Sequence, residues 1–103
     1  MATRFERFKT FGALTTGLNH VSLQSRDSDV TGVTSETPIY GLHVVNNSAA
    51  TLAFNIHGAQ FRVYPGAPAP IEMGIPIREY TFTASAATSA NEVQIIHKGP
   101  QVN

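Results

Sequence analysis

Leu52-Ala53-Phe54-Asn55-Ile56-His57-Gly58-Ala59-Gln60-Phe61-Arg62-Val63 alternates apolar and polar residues on both sides of one dipeptide. Leu52, Phe54 and Ile56 share one face of an extended chain, and Phe61 and Val63 share one face of the next. Period-2 alternation of this kind marks half-buried strands. His57-Gly58 sits where a tight hairpin must reverse, with glycine free to take a positive φ. The stretch therefore predicts two antiparallel strands with one face each on a core.

The same pattern recurs outward from this hairpin. Ile71, Met73, Ile75 and Ile77 alternate with Glu72, Gly74, Pro76 and Arg78, and Tyr80, Phe82 and Ala84 alternate with Glu79, Thr81 and Thr83. The parity flips between Ile77 and Tyr80, so a bulge or bend belongs there. Pro76 points the same way, because proline removes a ladder donor. Val93 and Ile95 continue the pattern until Gly99-Pro100, which is expected to end it. Upstream, Leu42-His43-Val44-Val45 ends at Asn46-Asn47-Ser48, read as a turn rather than as a glycosylation acceptor, and Val21 and Leu23 mark a short strand within residues 19–24. Residues 25–37 are polar and read as a long exposed loop. Val and Ile number fifteen against five Leu, which favours pleated structure. Each sheet must bury one face, so the predicted fold is all-β, a small antiparallel β-sandwich of Ig-like or jelly-roll-like type with an extended N-terminal arm; a small closed barrel is the rival. The expected organisation is an arm over 1–17, a sandwich over 18–99 and a tail over 100–103.

Composition narrows the function. The 103 residues suit one domain. Seven basic and seven acidic residues cancel, which argues against a nucleic-acid partner. The absence of cysteine excludes thiol catalysis, thiolate metal sites and disulfides. No apolar run approaches the ~20 residues of a membrane span, and residues 1–5 lack the apolar core of a signal peptide, so synthesis is expected in the cytoplasm. Charged residues are 14% of the chain, against about 25% in an average domain. A low-charge exterior suits either a chain packed among partners or a Thr-rich sheet surface.

No catalytic constellation emerges. His20, His43, His57 and His97 fall on or beside four different strands without metal-ligand spacing, and read as outward polar positions, with His97 at a strand end. The aspartates Asp27 and Asp29 lie in the predicted loop, and no Gly-x-Ser-x-Gly elbow is present. Glu72, Glu79 and Glu92 occupy outward or turn positions. No catalytic residue, metal or cofactor is expected.

The most informative segment is Thr3-Arg4-Phe5-Glu6-Arg7-Phe8-Lys9-Thr10-Phe11. Phe5, Phe8 and Phe11 recur every three residues between basic side chains. Three fates are open to it: a further strand of the same sandwich, weak nucleic-acid binding, or docking of aromatic anchors into a neighbouring subunit. A period of three suits an extended arm fixed by contacts outside itself, and Phe5, Arg7, Phe8 and Phe11 are the partner-binding candidates. The outward faces of 71–77 (Gly74, Pro76) and 51–57 (Thr51, Ala53, Asn55) are small and weakly polar, fit for contact with another chain or for plain exposure.

From Leu42 to Gly99 the succession of strands and turns resembles small β-sandwich virion structural proteins of tailed bacteriophages, of the capsid decoration, cement or fibre-base type. It runs through Phe54-Asn55-Ile56-His57-Gly58, Phe61-Arg62-Val63-Tyr64-Pro65-Gly66, Ile71 to Ile77, Tyr80 to Ser85 and Val93 to Gly99. The resemblance implies a non-enzymatic subunit that assembles as an oligomer on a virion with other virion proteins. A head–tail or tail-fibre adaptor is the alternative within that class. Outside it stands a carbohydrate-binding module with Tyr40, Tyr64 or Tyr80 as a stacking platform, disfavoured by the absence of tryptophan.

Overall fold

Eight strands and no helix account for the residues described in a computed structural model, namely 3–24, 28–31, 33, 38–67 and 69–102. They are β1 (Thr3–Thr10), β2 (Asn19–Ser22), β3 (Ile39–Asn46), β4 (Leu52–Ile56), β5 (Ala59–Val63), β6 (Ala69–Ile77), β7 (Glu79–Ala84) and β8 (Val93–Val102). The β4–β5 hairpin is the innermost pair: Ile56 faces Ala59 and Leu52 faces Val63. His57 and Gly58 both take positive φ, 52° and 81°, the hand of turn whose twist matches that of the flanking strands.

Around this hairpin the pairing is nested. β3 pairs with β6, β2 with β7 and β1 with β8, all antiparallel. The resulting sheets have the orders β1-β8-β3-β6 and β2-β7-β4-β5. An eight-stranded double sheet of this connectivity is a jelly roll, which selects one of the two sandwich types expected from the sequence.

The apolar parity fills the space between the sheets. Leu42, Val44, Leu52, Phe54, Ile56, Val63, Tyr80, Phe82 and Ile95 are buried. Phe54 stacks on Phe82 at 4.9 Å between centroids and lies 5.9 Å from Tyr80. The parity flip after Ile77 marks where the chain leaves one sheet for the other: β6 and β7 are separated by Arg78 alone. The bulge itself lies earlier. Ile39 faces Ile77 and Gly41 faces Glu72, so Met73 to Pro76 stand opposite Tyr40 alone. Ile75, expected on the core face, is 57% exposed for that reason. Pro76 falls within the bulge, where no ladder donor is required.

Three further expectations are corrected. Residues 3–10 form β1 rather than a free arm, so the alternative of a further strand is the one adopted. Strand β8 does not stop at Gly99-Pro100 but runs to Val102, so residues 100–102 are strand rather than tail. Phe5 faces both Gly99 and Pro100 in a bulge, since Arg4 pairs with Gln101 and Glu6 with Lys98. On the other side β3 ends its pairing at Lys98, so the proline interrupts no ladder there. Third, the polar stretch 25–37 is not exposed throughout: Val30 and Val33 are in the core at 2% exposure each. Its residues 25–27, 32 and 34–37 lie outside the described residues.

Buried polar groups are satisfied by one another. Asn46 ends β3 at 1% exposure. Its amide donates to Ala50 O and Val63 O, and its Oδ1 accepts from Ser48 N and Ser48 Oγ. Asn46-Asn47-Ser48 is thus a buried turn knot, closed to glycosylation in the folded chain. His97 follows Val93 and Ile95 onto the inner face of β8 and is fully buried, not at a strand end. Its Nε2 meets Tyr80 Oη at 2.7 Å across the two sheets, and its Nδ1 meets Arg7 O at 3.3 Å. With Nδ1–H donating to the carbonyl, Nε2 accepts from the Tyr80 hydroxyl, so the neutral ring is fully paired.

Burial lowers the His97 pKa to about 4, aided by the Lys9 charge and opposed by the hydrogen bond with Arg7 O. Burial also raises the Tyr80 pKa well above its usual range, with a further push from Asp29. An ordinary imidazole titrates near 6.5, so between about pH 6.5 and pH 4 the unfolded chain binds a proton that the native chain refuses. Stability from this group is complete above the upper limit and falls as pH drops through that window. The loss reaches about 3 kcal/mol below pH 4. Urea unfolding at a series of pH values measures the slope, and His97→Gln is expected to flatten it; an unchanged slope would place the titration elsewhere.

Candidate functional site

The outer faces of the two sheets differ in chemistry. On β1-β8-β3-β6 the register aligns three rows across the strands. One row is Glu6, Lys98, Gly41 and Glu72; the next is Phe8, Ile96, His43 and Pro70; the third is Thr10, Gln94 and Val45. Phe8 is 61% exposed in the middle row. Gln94 Nε2 donates to Thr10 Oγ1 at 3.2 Å, and Lys98 Nζ lies 4.0 Å from Glu6 Oε1. Gly41 allows close approach: a Cβ there would stand 3.0 Å from Ile71 O and 2.8 Å from Glu72 Oε2, so that the glutamate side chain would have to move. The face is a largely apolar row, broken by His43, between a charged row and an uncharged one.

The outer face of β2-β7-β4-β5 is polar. His20, Thr81, Asn55 and Gln60 form one row, and Thr83, Ala53 and Arg62 the next. At the end where the chain crosses from β6 to β7 lies an open cleft of ≈ 470 Å³ lined by Gln24, Asn55, His57, Gly58, Arg78, Glu79, Tyr80 and Thr81. Its walls are pinned. His57 Nε2 lies 3.0 Å from Pro76 O, holding the hairpin tip to the bulge of the other sheet, and Asn55 Oδ1 accepts from Gly58 N at 3.2 Å. His20 Nε2 and Glu79 Oε2 are 3.4 Å apart and mostly solvated, a pair of small energetic weight. The cleft presents a guanidinium, a carboxylate, amides and a hydroxyl, a set suited to polar contacts. Sequence reasoning missed it because its residues come from separate segments; the outward parity of Asn55, His57, Glu79 and Thr81 was the available signal.

The four partner-binding candidates separate. Arg7 and Phe8 lie on β1, and both are exposed; Arg7 Nη1 donates to Glu6 O. Phe11, just beyond β1, packs against the core and meets Phe82 edge-on at 5.3 Å, with Lys9 Nζ 5.3 Å from its centroid. Phe5 belongs to β1 by its backbone, and its side chain lies outside the described residues. The period of three thus divides the aromatics, placing Phe8 outward and Phe11 inward. Among the tyrosines, Tyr80 is 1% exposed and bonded to His97, so it is not a stacking platform; Tyr64 is 57% exposed. Among the described residues no group of three or more His, Cys, Asp or Glu is placed to hold a metal ion, and no helix is long and apolar enough to cross a membrane.

Comparison of the chain with family models, with curated proteins and with solved structures gave no match. Function therefore rests on the geometry.

The division of the aromatics is testable by stability alone. Phe11→Ala removes a ring packed on the core and is expected to cost about 2–3 kcal/mol, whereas Phe8→Ala stays within about 0.5 kcal/mol. Chemical denaturation of both variants decides it; equal losses would place Phe8 in the core of the fold.

Proposed function

We propose that this chain is a non-enzymatic structural subunit of a tailed-bacteriophage virion, of the capsid decoration or cement type. It is made in the host cytoplasm and binds the shell and sister subunits through the outer face of β1-β8-β3-β6. The observation that carries the reading is the two-sidedness of the sandwich: one outer face bears Phe8, Ile96 and Pro70 in one row, and the other bears mainly polar side chains, Ala53 being the apolar member of its rows. A protein fixed to a surface needs one face to seat and one to leave in water. Exposed aromatics at the centre of a patch are the residues that dominate association energies.

Two further features support the reading. Eight-stranded jelly rolls are frequent in viral capsid and lectin domains, an analogy of fold rather than of site. A formal charge of zero and 14% charged residues leave little electrostatic protection against association. Each contact would be modest, and attachment would come from many copies acting together.

Light scattering and analytical ultracentrifugation of the purified chain, with and without phage shells, test this. The wild type is expected to form a defined oligomer or to bind shells, and Phe8→Ala to weaken that association at least tenfold while remaining folded. A chain that stays monomeric at every concentration and ignores shells would contradict the proposal.

A further inference from the structure

Residues 3–14 are tied to the rest of the fold through one region. β1 has β8 as its hydrogen-bonded neighbour. Phe11 N donates to Val93 O, Asn91 N donates to Phe11 O, and the Phe11 ring meets Phe82. Leu14 exchanges hydrogen bonds with Thr88: Leu14 N to Thr88 Oγ1 at 3.1 Å, and Thr88 N to Leu14 O at 2.9 Å. The partners thus lie at Phe82 and within 88–102, far along the chain. After Leu14 the segment Thr15-Thr16-Gly17-Leu18 is exposed throughout, and Leu18 is 70% exposed.

Such an element is separable. The β1 positions facing the inner side of β8 include Arg7 opposite His97 and Lys9 opposite Ile95, so residues 6–10 of the strand contribute little apolar burial; Phe11 and Leu14 supply anchors. The receptor is demanding by contrast. Without a strand on it, β8 would leave a ten-residue edge open, an invitation to unwanted pairing. It would also leave the buried Nδ1 of His97 without the Arg7 carbonyl. The outer pairs Glu6–Lys98, Phe8–Ile96 and Thr10–Gln94 fix the register for this particular sequence, whichever copy supplies it.

We propose that residues 3–14 exchange between copies: β1 of one chain docks on β8 of a second copy of this chain, with residues 15–18 as the hinge. Exchange reuses the closed chain's contacts, which makes it a low-cost route to a dimer. Around a two-fold axis the two hinges run side by side and cover Leu18, which the closed chain leaves in water. The inference deepens the assembly reading above, on which it rests, by naming the partner as a second copy.

The sequence has no cysteine, so introduced thiols report alone. Residues opposite in antiparallel strands have Cα atoms about 4.5–5.5 Å apart, within disulfide reach. Glu6→Cys and Lys98→Cys are made as separate full-length variants, mixed, unfolded, refolded together and oxidised. Exchange predicts a species of twice the chain mass on a non-reducing gel, absent from either variant alone and abolished by reduction. Thr10→Cys with Gln94→Cys is a second pair, and circular dichroism verifies folding. The proposal is overturned if the mixture of folded single variants does not cross-link while the double variant Glu6→Cys/Lys98→Cys closes quantitatively within one chain. With no cross-link in the mixture, a wild-type chain that is still oligomeric would overturn exchange and leave the assembly reading standing; a monomeric wild-type chain would count against both.

Discussion

The reversal at His57-Gly58 sets the order in which everything else is placed. Once Ile56 and Ala59 are opposite each other, the inward parity of Leu52, Phe54 and Ile56 fixes the inner face of that sheet. Each outer pair then has its neighbour defined: β7 adds beside β4 with Phe82 opposite Phe54, and β2 adds beside β7 with Val21 opposite Tyr80. The left-handed conformation at both turn residues is a local cost accepted because the alternative reversal would splay the strands. Nested in sequence, the pairs are not nested in space: β4, β7, β8 and β3 are interior strands, and β1, β2, β5 and β6 form the edges.

Cohesion between the two sheets follows the same gradient. Phe54, Tyr80 and Phe82 form a contiguous aromatic layer, and Tyr80 reaches the opposite sheet through His97. Polar burial is confined to groups that satisfy each other, as at Asn46 and Ser48, so it does not oppose the hydrophobic term. At the margin the supply of apolar contacts thins out. Arg7 and Lys9 stand on β1 where inner strands carry Val or Ile, and inward charges of this kind also discourage a foreign strand from adding to the edge. Residues 6–10 of β1, with little burial of their own, depend on sequence-specific register for their pairing, which is what an exchangeable segment requires.

Most of the sheet structure was legible because one face of each strand is buried and side-chain parity records it. Residues 52–63, 80–84 and 93–97 show this, and His97 sits at the parity of Val93 and Ile95 even though its chemistry suggested an outward place. Legibility failed where contacts made far along the chain decide the outcome. Val30 and Val33 are isolated apolar residues in a polar stretch, and only the tertiary fold gives them a core to enter. Phe8 and Phe11 lie an odd number of residues apart, so an extended chain sends one to water and one against Phe82, but only the pairing of β1 with β8 shows that the segment is extended and which face is inner. Ile75 follows the alternation of its strand, but the bulge opposite Tyr40 cancels it. The cleft between Asn55 and Arg78 draws on the hairpin tip and the start of β7, segments that only strand pairing brings side by side.

The central claim is that stability decreases from the interior strands β4 and β7 to the edge strand β1, leaving β1 the separable layer. Native-state amide hydrogen exchange, resolved by residue, tests it most directly, since local opening energies rank the cooperative units of a fold. The account predicts slowest exchange in β4 and β7 and fastest exchange, among strand amides bonded within a sheet, along the β1–β8 pairing. Protection of β1 equal to that of β4 and β7, lost only in global unfolding, would contradict it.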